Sequence, residues 1–263
     1  MIRRICLCGA VLCLLLVLAR PANATATASA TATIDWGSVT ITAVGNTQIF
    51  YSSFSADAQT AANLNTVNQV ILAQHYNTDL NTNISQTYSV LSSNRTLNMS
   101  SAVDLVGQKT ISASSSDSSN QAGSFGDISQ AQQWIYLYVE GDDTINVQGN
   151  YSLTATASAS QFGEFSAAQA DAVLWLYDEA TNTWAIKDEP GLAAFSTVAV
   201  TSSQPTTGQF NDTATIPTDT VYRLQFYTDA FTVVNSPAPT PEPASVLLVG
   251  VGLLAMARRK KNI

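Results

Sequence analysis

Apolar and polar residues alternate along most of this chain. The longest alternating run is Ile145, Val147, Tyr151, Leu153, Ala155, Ala157 and Ala159, with Ser152, Thr154, Thr156 and Ser158 between its later members. A period of two turns one set toward a core and the other away from it, which predicts a half-buried β-strand. Gly149-Asn150 is expected to bend that run or to break it into two strands. Leu97, Met99, Val103 and Leu105 repeat the pattern, as do Val198 and Val200, and then Tyr222, Leu224 and Phe226. Near the start, Ile34 and Trp36 share one parity while Val39 and Ile41 share the other, and a bulge near Gly37 accounts for the slip.

Other segments carry different signals. "DAVLWLYDEATNTWAI" places apolar runs Ala172–Tyr177 and Trp184–Ile186 around the polar connection Asp178–Thr183, which predicts a hairpin. Between Asp57 and Tyr76, Ala61, Leu64, Val67 and Ile71 fall at helical spacing and make a short helix candidate, although the segment's Asn and Thr residues are poor helix formers. "SASSSDSSNQAGS", Ser112–Ser124, reads as a flexible surface loop. No internal repeat of fixed period stands out. The expectation is an all-β body at residues 25–234, a single jelly-roll-like β-sandwich with a possible short helix. A chain of that length can form one undivided domain.

The ends of the chain differ from this body. Residues 1–24 have the three parts of a secretory signal peptide: Arg3 and Arg4, the apolar run Ile5–Ala19, and the A-x-A site Ala22-Asn23-Ala24. Cleavage is predicted after Ala24, with Ala26, Ala28 and Ala30 as weaker alternatives and an uncleaved anchor as the other reading. All three cysteines (Cys6, Cys8, Cys13) lie in that apolar run, so the exported body has no disulfide, cysteine metal site or thiol nucleophile. Without the two ends, the body carries four basic side chains (Arg95, Lys109, Lys187, Arg223) against eighteen acidic ones, a net charge near −14. That field repels phosphate backbones and argues against nucleic-acid binding.

Candidate chemistry is sparse. His75 is the single histidine, and neither HExxH, GxSxG, a P-loop nor a dinucleotide glycine fingerprint occurs. "AGSFG", Ala122–Gly126, fails the spacing of a nucleophile elbow. A carboxylate glycosidase needs two facing acids, and Glu140, Asp142, Asp143, Glu164, Asp171, Asp178, Glu179, Asp188 and Glu189 are available. Most sit in turn-like contexts, so no catalytic residue is assigned and the chain is not expected to be an enzyme. "EGDDT", Glu140–Thr144, offers oxygen ligands for Ca²⁺. A plain polar turn explains it equally well, and no cofactor is expected. In "QWIYLYV", Ile135, Leu137 and Val139 can face the core and leave Trp134, Tyr136 and Tyr138 as an aromatic row suited to stacking on sugar rings. A strand covered on both faces is the competing explanation. Asn-x-Ser/Thr sites at Asn83, Asn94, Asn98, Asn150 and Asn211 follow from the composition.

After the body come a spacer with four prolines (residues 235–243), an apolar segment (residues 244–257) and a basic end (residues 258–263). Fourteen helical residues span about 21 Å, short against a hydrocarbon core of about 30 Å. Thinning and snorkelling can accommodate such a span. Arg258, Arg259, Lys260 and Lys261 would stay cytoplasmic, which places the body outside the cytoplasmic membrane.

This tail resembles the PEP-CTERM sorting signal of Gram-negative bacteria. Pro241-Glu242-Pro243 matches the triplet, Val246–Met256 the apolar segment, and Arg258-Arg259-Lys260-Lys261 the basic end. The resemblance covers about two dozen residues. It implies export, transient membrane anchoring, processing by an exosortase-type membrane enzyme, and a place at the cell surface or in an exopolysaccharide matrix of the kind found in biofilms. Two functional expectations stay open: a structural or interaction protein of that matrix, and a carbohydrate-binding sandwich using Trp134, Tyr136 and Tyr138. A glycosidase is the weaker third.

Overall fold

The structure, a computed structural model, describes residues 25–44, 48–63, 70–77, 83–91, 95–120, 123–140, 143–160, 163–197, 201–217 and 220–236. Thirteen strands fill these residues: β1 (Ala26–Val44), β2 (Gln48–Asn63), β3 (Val70–Asn77), β4 (Ile84–Leu91), β5 (Arg95–Asp104), β6 (Thr110–Ser119), β7 (Gly123–Glu140), β8 (Asp143–Ala159), β9 (Phe165–Asp178), β10 (Thr183–Asp188), β11 (Gly191–Ser196), β12 (Thr201–Ile216) and β13 (Thr220–Ser236). They form two antiparallel sheets in the order β12-β8-β1-β6-β5-β4 and β10-β9-β13-β7-β2-β3, with β11 also paired to β9. The described residues are all-β and form the sandwich-like pair of sheets that was expected. Its last strand ends two residues beyond the expected boundary at 234.

Local expectations fare unevenly. On β8, Ile145, Val147, Leu153, Ala155, Ala157 and Ala159 are buried, as the alternation requires. The strand runs unbroken through Gly149-Asn150. Gly149 is needed there for a different reason. The register of β1 against β8 slips between Asp35 and Thr40, so the bulge expected near Gly37 exists, and a Cβ on Gly149 would lie 3.1 Å from Val39 Cγ2. The glycine gives the bulge room. The hairpin is β9–β10, closed by Asn182 at φ 59° and by the Asp178 carboxylate, which accepts from the amides of Ala180 and Thr181. Val198 and Val200 lie outside the described residues.

Two expectations fail. The helix candidate Asp57–Tyr76 falls in β2 and β3, which pair with each other, while residues 64–69 lie outside the description. Asn and Thr give a helix little intrinsic support, and β2 gains fifteen paired positions along β7. Tertiary pairing overrides the weak periodicity. The serine-rich segment is no surface loop either. Residues 110–119 are β6, an interior strand held between β1 and β5, with Ala113, Ser115, Asp117 and Ser119 buried. Its polar groups find partners both across the sandwich, on β13, and on the neighbouring strand β5. Ser115 Oγ lies 2.7 Å from Thr232 Oγ1, Ser236 Oγ donates to the Ser119 carbonyl, and Asp117 meets Arg95.

The core is graded along its length. One half is filled by Ile34, Ile135, Leu137, Leu153, Leu176, Phe210, Tyr222, Leu224 and Phe226, all 2% exposed or less, with Trp36 edge-on to Phe226 at 5.4 Å. The other half uses small side chains, among them Ala26, Ala28, Ala30, Ala157, Ala168 and Ala170. A buried Leu or Phe contributes roughly 1.5–3 kcal/mol and a methyl group about 0.8, so the small-residue half gains less per residue.

That small-residue half also encloses a charged cluster. Arg95 of β5 donates through Nε and Nη2 to Asp117 of β6 and through Nη2 to Asp127 of β7, both closest contacts being 2.7 Å. Its guanidinium carbon lies 4.3 Å from the Phe125 ring centroid. The three side chains are at most 4% exposed, so the cluster ties one sheet to the other through the interior.

Candidate functional site

The outer face of the seven-stranded sheet is built by the same alternation that builds the core. On β7, Ile135, Leu137 and Val139 are buried, and Trp134, Tyr136 and Tyr138 stand half-buried on the opposite face. Registration extends the row sideways. Trp134 pairs with Gln225 of β13, and Gln225 with Trp175 of β9; Tyr136 pairs with Arg223, and Arg223 with Tyr177. Trp184 of β10 then pairs with Tyr177. Neighbouring strands lie about 4.8 Å apart, so the aromatic positions form one band across β10, β9, β13 and β7.

Four rings of this band, Trp175, Tyr177, Trp184 and Tyr227, are linked by ring contacts and bracketed by polar groups. Trp184 is 43% exposed and packs 5.0 Å from Trp175 and 4.6 Å from Tyr177. Trp175 stacks near-parallel to Tyr227 at 6.4 Å. The Trp175 indole N–H donates to Glu189 Oε1 at 2.8 Å, and the Tyr227 hydroxyl donates to Asp229 Oδ2 at 3.2 Å. Arg223 lies 5.1 Å over the Tyr177 ring and 3.5 Å from Glu179. An amide relay crosses the strands beside the rings: Gln225 donates to Gln132, and Gln132 to Asp57. Trp175, Tyr177 and Trp184 are gathered by the β9–β10 hairpin that the sequence already signals, whereas only the strand order brings Tyr227 and the β7 row beside them.

The carboxylates of this face feel one another. Burial, and then the neighbouring Asp171, push Asp229 up to about 6. Asp171 is also raised, mainly by burial, and Gln169 Nε2 holds one of its oxygens at 2.7 Å. Tyr227 is raised by burial and by Asp229. Such groups hold hydroxyls and amines by hydrogen bonds and disfavour anions.

The other candidate residues are dispersed. His75 lies on β3 opposite Ala58. Glu140 ends β7 and Asp143 begins β8, with Asp142 outside the described residues. Among the described residues, no three His, Cys, Asp or Glu side chains gather in a way that would hold a metal. Of the acids weighed for glycosidase chemistry, Asp178 caps its turn, Glu164 accepts from the backbone and hydroxyl of Ser160, Glu179 pairs with Arg223, and Glu189 pairs with Lys187 at 3.2 Å. Asp188 sits beside Asp212, which is raised by burial and by that neighbour.

The described residues thus define a two-sheet β-protein with an aromatic outer face, and the tail adds the rest. Residues 239–261 match the family model of the PEP-CTERM protein-sorting motif. The match spans Pro241-Glu242-Pro243 and Arg258, Arg259, Lys260 and Lys261, so this chain carries that sorting signal. The motif implies processing by an exosortase-type membrane enzyme and an extracellular destination. No curated protein matches the chain. The apolar segment 244–257, the triplet and the basic end lie outside the described residues, as do residues 1–24. Among the described residues no helix is long and apolar enough to cross a membrane.

Proposed function

We infer that this chain is a non-enzymatic protein of the cell surface or exopolysaccharide matrix, with a structural or interaction role. The observation that carries the reading is the sorting motif, which begins three residues after β13 ends. A cut near Pro241-Glu242-Pro243 would therefore release every strand intact. The route begins with a signal peptide cleaved after Ala24 and passes through a temporary anchor at residues 244–257. Burial supports that first cut over its alternatives. Ala26, Ala28 and Ala30 are at most 3% exposed on β1, an interior strand, and the Thr25 amide donates to Ser160 Oγ at 2.9 Å. Cleavage after Ala26, Ala28 or Ala30 would remove core positions.

Mass spectrometry of the protein recovered from the cell surface should find Thr25 as the first residue and nothing beyond the Pro-rich segment. A surface form that retains Arg258–Ile263 would sink the processing step, and one beginning after Ala30 would sink the assigned signal-peptide boundary.

The aromatic face favours a second reading, a carbohydrate-binding module whose row Trp134, Tyr136 and Tyr138 stacks on sugars. On an array of matrix glycans, Trp134→Ala should weaken binding. Unchanged binding of every glycan would remove this row from the site.

A further inference from the structure

We propose that the whole aromatic band, from Trp184 through Trp175 and Tyr177 to Tyr227, Trp134 and Tyr136, is one binding surface for polysaccharides whose sugars are neutral or carry amines. This deepens the carbohydrate-binding reading and rests on it. The band crosses four strands in register, so a linear chain would lie across the strands and not along one of them.

Two features select this occupant. A sugar ring has an apolar C–H face and a rim of hydroxyls, and four of the six rings of the band stand beside a group that suits such a rim. Glu189 stands at Trp175, Asp229 at Tyr227, Arg223 over Tyr177, and Gln225 between Trp134 and Trp175. Charge makes the second choice. Asp171, Glu179, Glu189 and Asp229 surround the band, and its two nearby cations, Arg223 and Lys187, are paired to Glu179 and Glu189. The surface is therefore acidic, and a polyuronate would bring like charges together at close range.

The test uses the full chain in mild detergent, with dextran (neutral), chitosan oligomers (amine-bearing) and alginate (polyuronate) as probes, read by tryptophan fluorescence and by retardation in polysaccharide-containing gels. Dextran or chitosan should bind and alginate should not. Trp184→Ala should weaken binding about tenfold, the equivalent of one lost stacking contact, and lower the thermal midpoint by only a few degrees, because Trp184 packs on Trp175 and Tyr177 but lies on an edge strand. Binding lost in Trp134→Ala but intact in Trp184→Ala would overturn the extended band and leave the carbohydrate reading standing. Alginate binding as tight as dextran or chitosan would overturn the charge selection. No retardation by any of the three probes would overturn both the band and the reading beneath it.

Discussion

Arg95→Met should destabilise the folded body by about 3–5 kcal/mol, the range found when one member of a buried ion cluster is removed. For a domain of this size that corresponds to a fall of roughly 6–20 °C in the thermal midpoint. The acid pair Asp117 and Asp127 would be left inside the sandwich without the guanidinium that meets both. The side chain also spans the two sheets in the half where the surrounding core residues are small, so its loss removes packing as well as charge. A midpoint within a degree or two of the native protein would contradict this account. Adding Asp117→Asn and Asp127→Asn to Arg95→Met should recover part of the loss, because the remaining cost of stranded charge disappears.

Asp127→Asn should change how stability depends on pH. Asp127 is pushed up to about 8, first by burial and then by the adjoining Asp117, with Arg95 pulling the other way. One guanidinium neutralises one carboxylate, and the second is easiest to keep inside as the acid. The folded-state value lies above the ordinary value of about 4. Between the two, the native protein holds a proton that the unfolded chain releases. The stabilisation from that proton is complete below pH of about 4, declines as the pH rises, and is gone above about 8. Asparagine keeps a donor for Asp117 and an acceptor for Arg95 without ever ionising. The variant should match the native protein in acid and exceed it by several kcal/mol above pH of about 8. Urea midpoints measured for both proteins across this range should diverge steadily, and parallel curves would show that Asp127 is charged when folded.

How far the fold could be read in advance depended on where each residue's partner lies. Ile145, Val147, Leu153, Ala155, Ala157 and Ala159 were legible because their burial follows from parity alone, while Tyr151 of the same set is only half-buried; the bulge was legible because Trp36 and Val39 break that parity within a few residues. The β9–β10 hairpin was legible because Asp178 and the turn it caps are neighbours in sequence. Serines 112, 114, 115 and 116 looked like a loop because short polar side chains locally favour turns. What makes them a strand is Thr232, Ser236 and Arg95, and the first two lie more than a hundred residues away from the groups they meet. The false helix at Asp57–Tyr76 has the same origin, since the strand that captures it, β7, begins at Gly123. On the candidate face, Trp134, Tyr136 and Tyr138 could be picked out from one strand. Trp175, Tyr177, Trp184 and Tyr227 became their neighbours only through β13, which pairs with both β7 and β9.

That same strand has a mechanical consequence. β13 is hydrogen-bonded to β7 over seventeen residue pairs and to β9 over fourteen, and its last residue, Ser236, leads directly into the sorting tail. A pull on the tail would act along the strand axis. The two ladders would then be loaded in shear, with many hydrogen bonds resisting together instead of unzipping one after another. For as long as the tail anchors it, the protein would pass drag into the middle of its larger sheet, where the fold resists it best.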